Sequence, residues 1–586
     1  MNEAPTPSPA ADFERRVLMA LALFVLAAIV YIPAMSGGFI YDDDTLLTEN
    51  PLVTRGSGFF AAQSWRDLGA IWLPVNEKSV NDYAPLSTTT YWIEWRLWGE
   101  GSPGGYHATN VLLHAIAALL LWAVLARIGV PGAYAAALVW AVHPVCAESV
   151  AWIAERRNVL STPLLLLAFL AWLRFQAVRE RRAYVAALLL FAAALLAKSA
   201  VVMLPCFMLL WAWWSRGRVV KRDLIETFPF FLLSLALGCV TAWFQYARAI
   251  AREQTPVGGL IHRAASACFA LAFYMWKTVF PFHLDFNYPE WHNSLPVALQ
   301  ALAIVPFAAV FAWAWRERAG WGRHVILGLG FFVLMIAPAL GIMKMAYMRI
   351  TLVADHFDYV PMIGLIALAA AGVARLWRHV DAAVAKRAIV AATAGVVALL
   401  GVFTWKRAVV FHDAEALWVD TLAGNPDAWQ AHEHLGGILK ERRDFTGALE
   451  HFRRGAELRP GFSETHNNYG NALRDLGLEP GVALEENRKA VAMDPDNLNA
   501  RLSYAGALAG LNRPAEAIVQ YEELLKRNPG DQASALISFE IGELFLSENK
   551  RADAAAYYAK ALQFAPNFPA ARQRLDTLNS AVKYNQ

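Results

Sequence analysis

Eleven apolar runs near bilayer-spanning length fill the first 405 residues and constrain this chain more than any other feature: 17–35, 108–126, 133–151, 159–174, 183–198, 200–214, 227–246, 296–315, 324–342, 358–374 and 387–404. In hydrocarbon every backbone N–H and C=O must be satisfied within the protein, so runs of this kind fold as helices packed into a bundle. The composition agrees, with 57% of the 586 residues hydrophobic and only 17% charged. Nearly all of the apolar excess lies before residue 405. The sequence therefore predicts an all-α chain in three parts. These are a cytoplasmic N-terminus over 1–16, a polytopic transmembrane helical bundle of about 11 spans over 17–405 with a long outer loop at 36–107, and a soluble helical domain over 406–586.

Basic residues set the orientation. The short loops holding Arg174, Arg179, Arg181 and Arg182, then Arg216, Arg218, Lys221 and Arg222, then Arg316, Arg318 and Arg323, and finally Arg375, Arg378, Lys386 and Arg387 belong in the cytoplasm by the positive-inside bias. With Arg15 and Arg16 also inside, the first seven runs alternate and the seventh ends outside near Tyr246. The run before Arg316 must enter from outside as well. A twelfth, weaker segment, 264–280, carries Lys277 and is followed by Pro281, so it reads as an interfacial or re-entrant helix. The odd count then puts everything after Trp405 outside the cytoplasm. The first run reads as an uncleaved signal anchor, although Ala34 to Ser36 has the small residues of a cleavage site. The alanine-rich composition and the lack of any N-x-S/T sequon point to a bacterial inner membrane with a periplasmic C-terminal domain. In a eukaryotic cell the same topology gives an ER membrane and a lumenal domain.

Past Trp405, prolines recur at Pro426, Pro460, Pro495, Pro529 and Pro566, spaced by 34, 35, 34 and 37 residues, which is the tetratricopeptide period. Leu435, Gly436, Ala448 and Phe452 fit one repeat, Gly470, Ala483 and Ala490 a second, Tyr504, Ala517 and Tyr521 a third, and Ile541, Gly542, Ala554, Tyr558 and Ala561 a fourth. Ala414 and Trp418 read as the second helix of a truncated opening repeat. Small residues let paired helices approach, aromatics fill the space between them, and proline ends each unit. The expected architecture is an α-solenoid, a shape that ordinarily presents a binding surface. His432 and His434 flank Glu433 on one of its helices without making a catalytic constellation.

Net charge is +3 and the basic residues sit in short clusters, so nucleic acid is not an expected partner. Cys146, Cys206, Cys239 and Cys268 have no CxxC spacing and read as small core residues. His107, His143, His283 and His356 lack HxH or HExxH spacing, so a divalent metal is not supported.

The polar residues that remain converge on one membrane face. Asp42, Asp43 and Asp44 follow Gly37-Gly38-Phe39-Ile40-Tyr41 at the outer end of the first run, where a carboxylate can serve as a base or simply end a span. The loop from His143 through Glu148 and Glu155 to Arg156, Arg157 and Asn158 faces the same side. Two adjacent arginines there run against the positive-inside bias and call for an anion, either a phosphate or Glu148 or Glu155. Lys198 ends the fifth run on that side, and Lys344, Arg349, Asp355, His356, Asp358 and Tyr359 precede the last two runs. Cations gathered there suit a lipid phosphate headgroup.

These residues resemble the transmembrane and tetratricopeptide-repeat (TMTC-like) family, which includes O-mannosyltransferases of the C-type glycosyltransferase (GT-C) fold. The resemblance rests on Gly38-Phe39-Ile40-Tyr41-Asp42-Asp43, Tyr83-Ala84-Pro85-Leu86, His107 through Asn110 to His114, His143-Pro144-Val145 with Glu148 through Arg157, and Ala354-Asp355-His356-Phe357-Asp358-Tyr359-Val360-Pro361, followed by the repeats. It implies a GT-C-like bundle and transfer of a monosaccharide from a polyprenyl-phosphate donor to a hydroxyl at the outer face of the membrane. Within that reading Asp42 or Asp43 takes the acceptor proton, and Arg156, Arg157, Lys198 and Arg349 meet the donor phosphate. Tyr41, His143, Glu148, His356 and Tyr359 support them. A protein held by the repeats is the implied acceptor, no metal is required, and Ser199 and Ala84, where relatives often carry an acidic residue and an arginine, bear on the choice of sugar. Two other readings fit the same residues. One is a non-enzymatic membrane-anchored scaffold for envelope or secretion assembly, and the other is a glycosyltransferase acting on lipid or polysaccharide.

Overall fold

The computed structural model describes residues 9–55, 58–59, 61–73, 83–250, 257–291 and 294–584. The first eight residues of the expected cytoplasmic N-terminus therefore lie outside the described residues. Among those described the chain is all-α, with no strand. It divides into two compact units, Met1–Asn425 and Pro426–Gln586.

In the first unit seven helices are long and apolar enough to cross a membrane: Pro103–Arg127, Ile153–Val178, Ser199–Arg216, Lys221–Ala247, Val297–Arg316, Gly322–Ala339 and Ala383–Val410. The chain is a multi-pass membrane protein. The other four expected runs are also helical but differ in length or charge. Arg181–Ala197 and Ile363–His379 have 17 residues each. Pro9–Ile29 opens on Asp12, Glu14, Arg15 and Arg16. The run at 133–151 is broken at His143-Pro144 into Ala133–Ala141 and Cys146–Ala151, because proline cannot continue a helix and withdraws a backbone donor. Every residue of Cys146–Ala151 is buried, so this run ends inside the bundle and not against lipid.

Segment 264–280 falls in the helix Leu260–Val279, which is two-faced. Ala270, Leu271 and Tyr274 pack with Phe332, Ile336 and Trp291, while Leu260, Ile261 and Trp276 are exposed. Lys277 turns inward and donates to the carbonyls of Phe282 and His283 at 2.9 and 2.6 Å. Of the cysteines Cys146 is buried, whereas Cys239 is exposed on the outside of Lys221–Phe244 and is not a core residue.

The second unit is built from helix pairs, Trp429–Glu441 with Phe445–Leu458, Ser463–Asp475 with Pro480–Met493, Leu498–Gly510 with Pro514–Lys526 and Asp531–Ser547 with Arg551–Phe564, followed by Pro569–Tyr584. The periodic prolines sit in the turns between pairs. Six residues after four of them a side chain folds back onto the proline carbonyl: His432 to Pro426, His466 to Pro460, Arg501 to Pro495 and Arg572 to Pro566, at 2.8 to 3.1 Å. Each contact satisfies a carbonyl that proline leaves without a helical partner. Glu433 accepts from Asn468 at 2.7 Å, and burial pushes its carboxyl up to about 8, so it is a packed group of the solenoid.

The small-residue positions are small for a steric reason. A Cβ on Gly542 would meet the Tyr558 ring at 2.6 Å, and Tyr558 is fully buried. Gly542→Val is therefore expected to destabilise the repeats by about 1–3 kcal/mol through overpacking. Limited proteolysis of the full chain checks this, since a cut between 531 and 564 that appears at lower temperature than in the parent is the expected result.

Candidate active site

The loop after the first run is shaped by its glycines. A Cβ on Gly37 would come within 3.2 Å of His107 Nε2 and of the His412 carbonyl, and Gly38 N–H donates to that carbonyl at 2.9 Å. Tyr41 then adopts φ 49°, a left-handed conformation uncommon for a residue with a Cβ. Its ring packs against Trp152, Phe286 and Trp418, with centroids 5.3 to 5.9 Å away. The reversal at Tyr41 leads into the short helical turn that carries the aspartates.

Asp43 is buried, and both of its oxygens are occupied, one accepting from Ile40 N–H at 2.9 Å and the other from Ala154 N–H at 2.7 Å. It clamps the loop to the segment Ile153–Glu155. Burial pushes its carboxyl well up, against the pull of those two N–H groups. Asp42 points the other way and is exposed to solvent, yet protein crowds it on most sides. That crowding pushes its carboxyl up to about 6, with Arg157 and His356 drawing it down and Glu155 pushing it up. Asp42 thus faces a recess that solvent reaches and that positive charge borders.

The hub of the recess is Glu155, which the sequence offered only as a partner for the adjacent arginines. Glu155 accepts from Lys198 Nζ at 3.1 Å and from Asn158 Nδ2 at 2.8 Å, and its other oxygen lies 3.8 Å from His356 Nε2. His356 is held from behind by Glu148, which takes its backbone N–H at 3.1 Å and its Nδ1 at 2.7 Å. Asn158 also donates to the His356 carbonyl at 2.7 Å, tying the two segments together. Next to this group Asp355 accepts from Tyr288 Oη at 2.7 Å, and burial together with Glu148 pushes its carboxyl up to about 7. Asp42, Glu148, Arg157, Lys198 and His356, which come from four separate stretches of sequence, therefore meet in one place.

The neighbouring arginines do different things. Arg157 is half-buried and acts on both Asp42 and Glu155. Arg156 is fully buried and its guanidinium is spent inside the protein. It donates to Glu94 at 2.8 Å, to the Tyr106 carbonyl at 2.9 Å, to Thr90 at 3.3 Å and to Asn110. With every nitrogen turned to protein it does not face the recess, in contrast to the sequence reading of a phosphate ligand. Arg349 turns its Nε onto the Ala346 carbonyl at 3.2 Å. Two other expected residues are buried in the core. His143 accepts from Val145 N–H and pairs with the Thr278 carbonyl at 3.0 Å, fastening Leu260–Val279 to the bundle. Tyr359 meets His114 Nδ1 at 2.7 Å in the core.

The element Tyr83-Ala84-Pro85-Leu86 opens the helix Pro85–Trp98, with proline at its first position where no N–H is needed. That helix carries Glu94 to Arg156, and Ser87 donates to the Ala197 carbonyl at 3.0 Å, beside Lys198. It is a brace for both cations.

Residues 84–246 match the family model described as dolichyl-phosphate-mannose-protein mannosyltransferase, and 411–461, 480–538 and 510–571 match tetratricopeptide-repeat models. Protein O-mannosyl-transferase Tmtc1 of Drosophila melanogaster is 33% identical over 200 residues, which cover 33% of this chain and 23% of that protein. Protein O-mannosyl-transferase TMTC3 of Mus musculus is 22% identical over 617 residues, 93% of this chain and 64% of that one. The chain is TMTC-like. It spans less than two thirds of the length of these curated relatives. Among solved structures, a tetratricopeptide-repeat protein with an unusual peptide-binding site, YrrB, is 20% identical over 31% of this chain and 87% of its own, with a TM-score of 0.25. The family match ends at residue 246, so it takes in Glu155, Arg157 and Lys198 but neither Asp42 nor His356.

Proposed function

We propose that the protein is a glycosyltransferase that moves a monosaccharide from a polyprenyl-phosphate donor to a hydroxyl on a protein at the outer face of the membrane. The observation that carries this reading is Asp42, a solvent-reached carboxylate bordered by Arg157 and His356 beside the Lys198–Glu155 pair. The names of the relatives point to mannose as the sugar.

In the proposed reaction the acceptor hydroxyl attacks the anomeric carbon, the bond from that carbon to the phosphate oxygen breaks, and the hydroxyl proton passes to Asp42. The leaving polyprenyl phosphate gains negative charge, which Arg157 and Lys198 stabilise from fixed positions. Glu155 holds these cations while the recess is empty, and the donor phosphate competes for them when it enters. Asp43 and Arg156 act one step away: the first fixes the turn that presents Asp42, the second anchors the helix on which Arg157 sits. The repeats capture the acceptor and raise its local concentration, with no chemistry of their own.

A base must be unprotonated to work, so activity is expected to climb with pH through about 6, the value of Asp42, and then level off. Arg157→Met removes the cation that draws Asp42 down, and the acidic limb of kcat/KM should then move to higher pH. A limb that stays in place in that variant would separate Asp42 from Arg157. The direct test is release of polyprenyl phosphate from a panel of polyprenyl-phosphate monosaccharides, with and without periplasmic or membrane extract. No release from any donor in any condition overturns the proposal.

A further inference from the structure

The helix Ala414–Gly424 falls inside the tetratricopeptide match at 411–461, yet it belongs to the first compact unit. Several contacts fasten it there. Arg407, near the end of Ala383–Val410, meets Asp420 at 2.5 Å, and Asn425 Nδ2 donates to the Asn287 carbonyl at 3.0 Å. Just ahead of the helix, the His412 carbonyl accepts from Gly38 N–H. A Cβ on Gly424 would overlap the Asp285 carboxyl, so the helix lies directly on the loop that follows Leu260–Val279. The half-repeat is thus built into the membrane unit.

Trp418 is the side chain this helix contributes to the recess. It is buried, and its ring stands edge-on to Tyr41 at 5.3 Å and to Phe286 at 5.5 Å. Phe286 in turn meets Tyr41 at 5.8 Å and Trp152 at 5.2 Å, so the Tyr41 ring is enclosed by three rings from three distant stretches of sequence. A residue with a Cβ at φ 49° persists only where its surroundings over-determine it. The enclosure of its ring does that for Tyr41, and Asp42 is the next residue along the chain.

We infer that Trp418 is a positioning residue: by closing the ring cluster on Tyr41 it holds the turn that presents Asp42. The inference rests on the reading of Asp42 as the base. An ordinary core tryptophan would act differently. Its loss would reduce the folded fraction and leave the titration of Asp42 where it was.

Trp418→Leu and Trp418→Phe in the full chain test this. In Trp418→Leu kcat should fall by about 10²-fold, the usual cost of a small misplacement, with the donor KM unchanged. Burial is the largest cause of the high Asp42 value, so a relaxed turn that admits water should move the acidic limb of kcat/KM from about 6 down towards the ordinary carboxylate value of about 3.9. Trp418→Phe keeps an edge against Tyr41 and should restore most of the activity and the parent's limb. Carbodiimide coupling of glycine ethyl ester to Asp42, followed by peptide mass spectrometry as a function of pH, reads the same titration with no donor or acceptor present. Should Trp418→Leu fail to fold, Phe286→Leu opens the cluster from another side of the Tyr41 ring and carries the same expectation. A folded Trp418→Leu or Phe286→Leu protein in which Asp42 titrates as in the parent would overturn the inference. A parent that transfers from no donor, together with a coupling midpoint that shifts in Trp418→Leu, would remove the glycosyltransferase reading and leave Trp418 as the positioner of Asp42.

Discussion

Asp42→Asn is expected to lower transfer by about 10²–10⁴-fold, the usual contribution of a positioned general base, with little change in donor affinity. Asparagine keeps the shape but replaces the charged carboxylate with a neutral amide too weakly basic to take the acceptor proton. The exposed carboxylate makes no hydrogen bond to the described residues, so the variant should keep the parent's thermal midpoint. Asp43→Asn gives the contrasting outcome. An amide can accept from only one of the Ile40 and Ala154 N–H groups that Asp43 now satisfies, so this variant should lose stability as well as activity. Polyprenyl-phosphate release and thermal unfolding measured side by side separate the two roles. Full activity in Asp42→Asn combined with an inactive, well-folded Asp43→Asn would transfer the base assignment to Asp43.

The largest effect on stability is expected at Arg156. Its guanidinium joins the Pro85–Trp98 helix through Glu94 and Thr90 to the Pro103–Arg127 helix through Tyr106 and Asn110. Removing one partner of a buried pair leaves the other charge uncompensated, typically at about 3–5 kcal/mol, and Arg156→Met should fall in that range. Burial already pushes the Glu94 carboxyl up even with Arg156 drawing it down. Without the arginine it rises further. A carboxyl whose folded value lies above its unfolded value of about 4.3 loses stability as pH rises between the two. The deficit of Arg156→Met should therefore be small near pH 4 and grow towards pH 8, as read from SDS or thermal unfolding in detergent. Adding Glu94→Leu should recover part of it, since a well-packed apolar pair replaces a broken ionic one. A deficit independent of pH and untouched by Glu94→Leu would mean that Glu94 is not the group left exposed by the loss.

The proline period, the small-residue positions and the apolar runs belong to the sequence because each reports a local constraint. A backbone in hydrocarbon must be helical, a proline must end a helix, and a glycine such as Gly542 must clear the ring beside it. The convergence of Asp42, Glu148, Arg157, Lys198 and His356 was also foreshadowed, since counting crossings puts their loops on one face. What the sequence could not assign was the division of labour among neighbours. Asp42 and Asp43 differ because successive residues in the helical turn after Tyr41 point about 100° apart, which leaves one side chain exposed and puts the other on Ala154. Arg156 and Arg157 differ because successive residues on a helix point about 100° apart, one towards Glu94, 62 residues earlier, and the other towards the recess. Glu155 became the hub of the cations for the same reason: its partners lie 43 and 201 residues along the chain and meet it only once the helices have packed. Local chemistry settled which elements form and where the chain turns. Tertiary packing alone decided which of two adjacent identical side chains meets solvent, because that choice is made by partners far away in sequence.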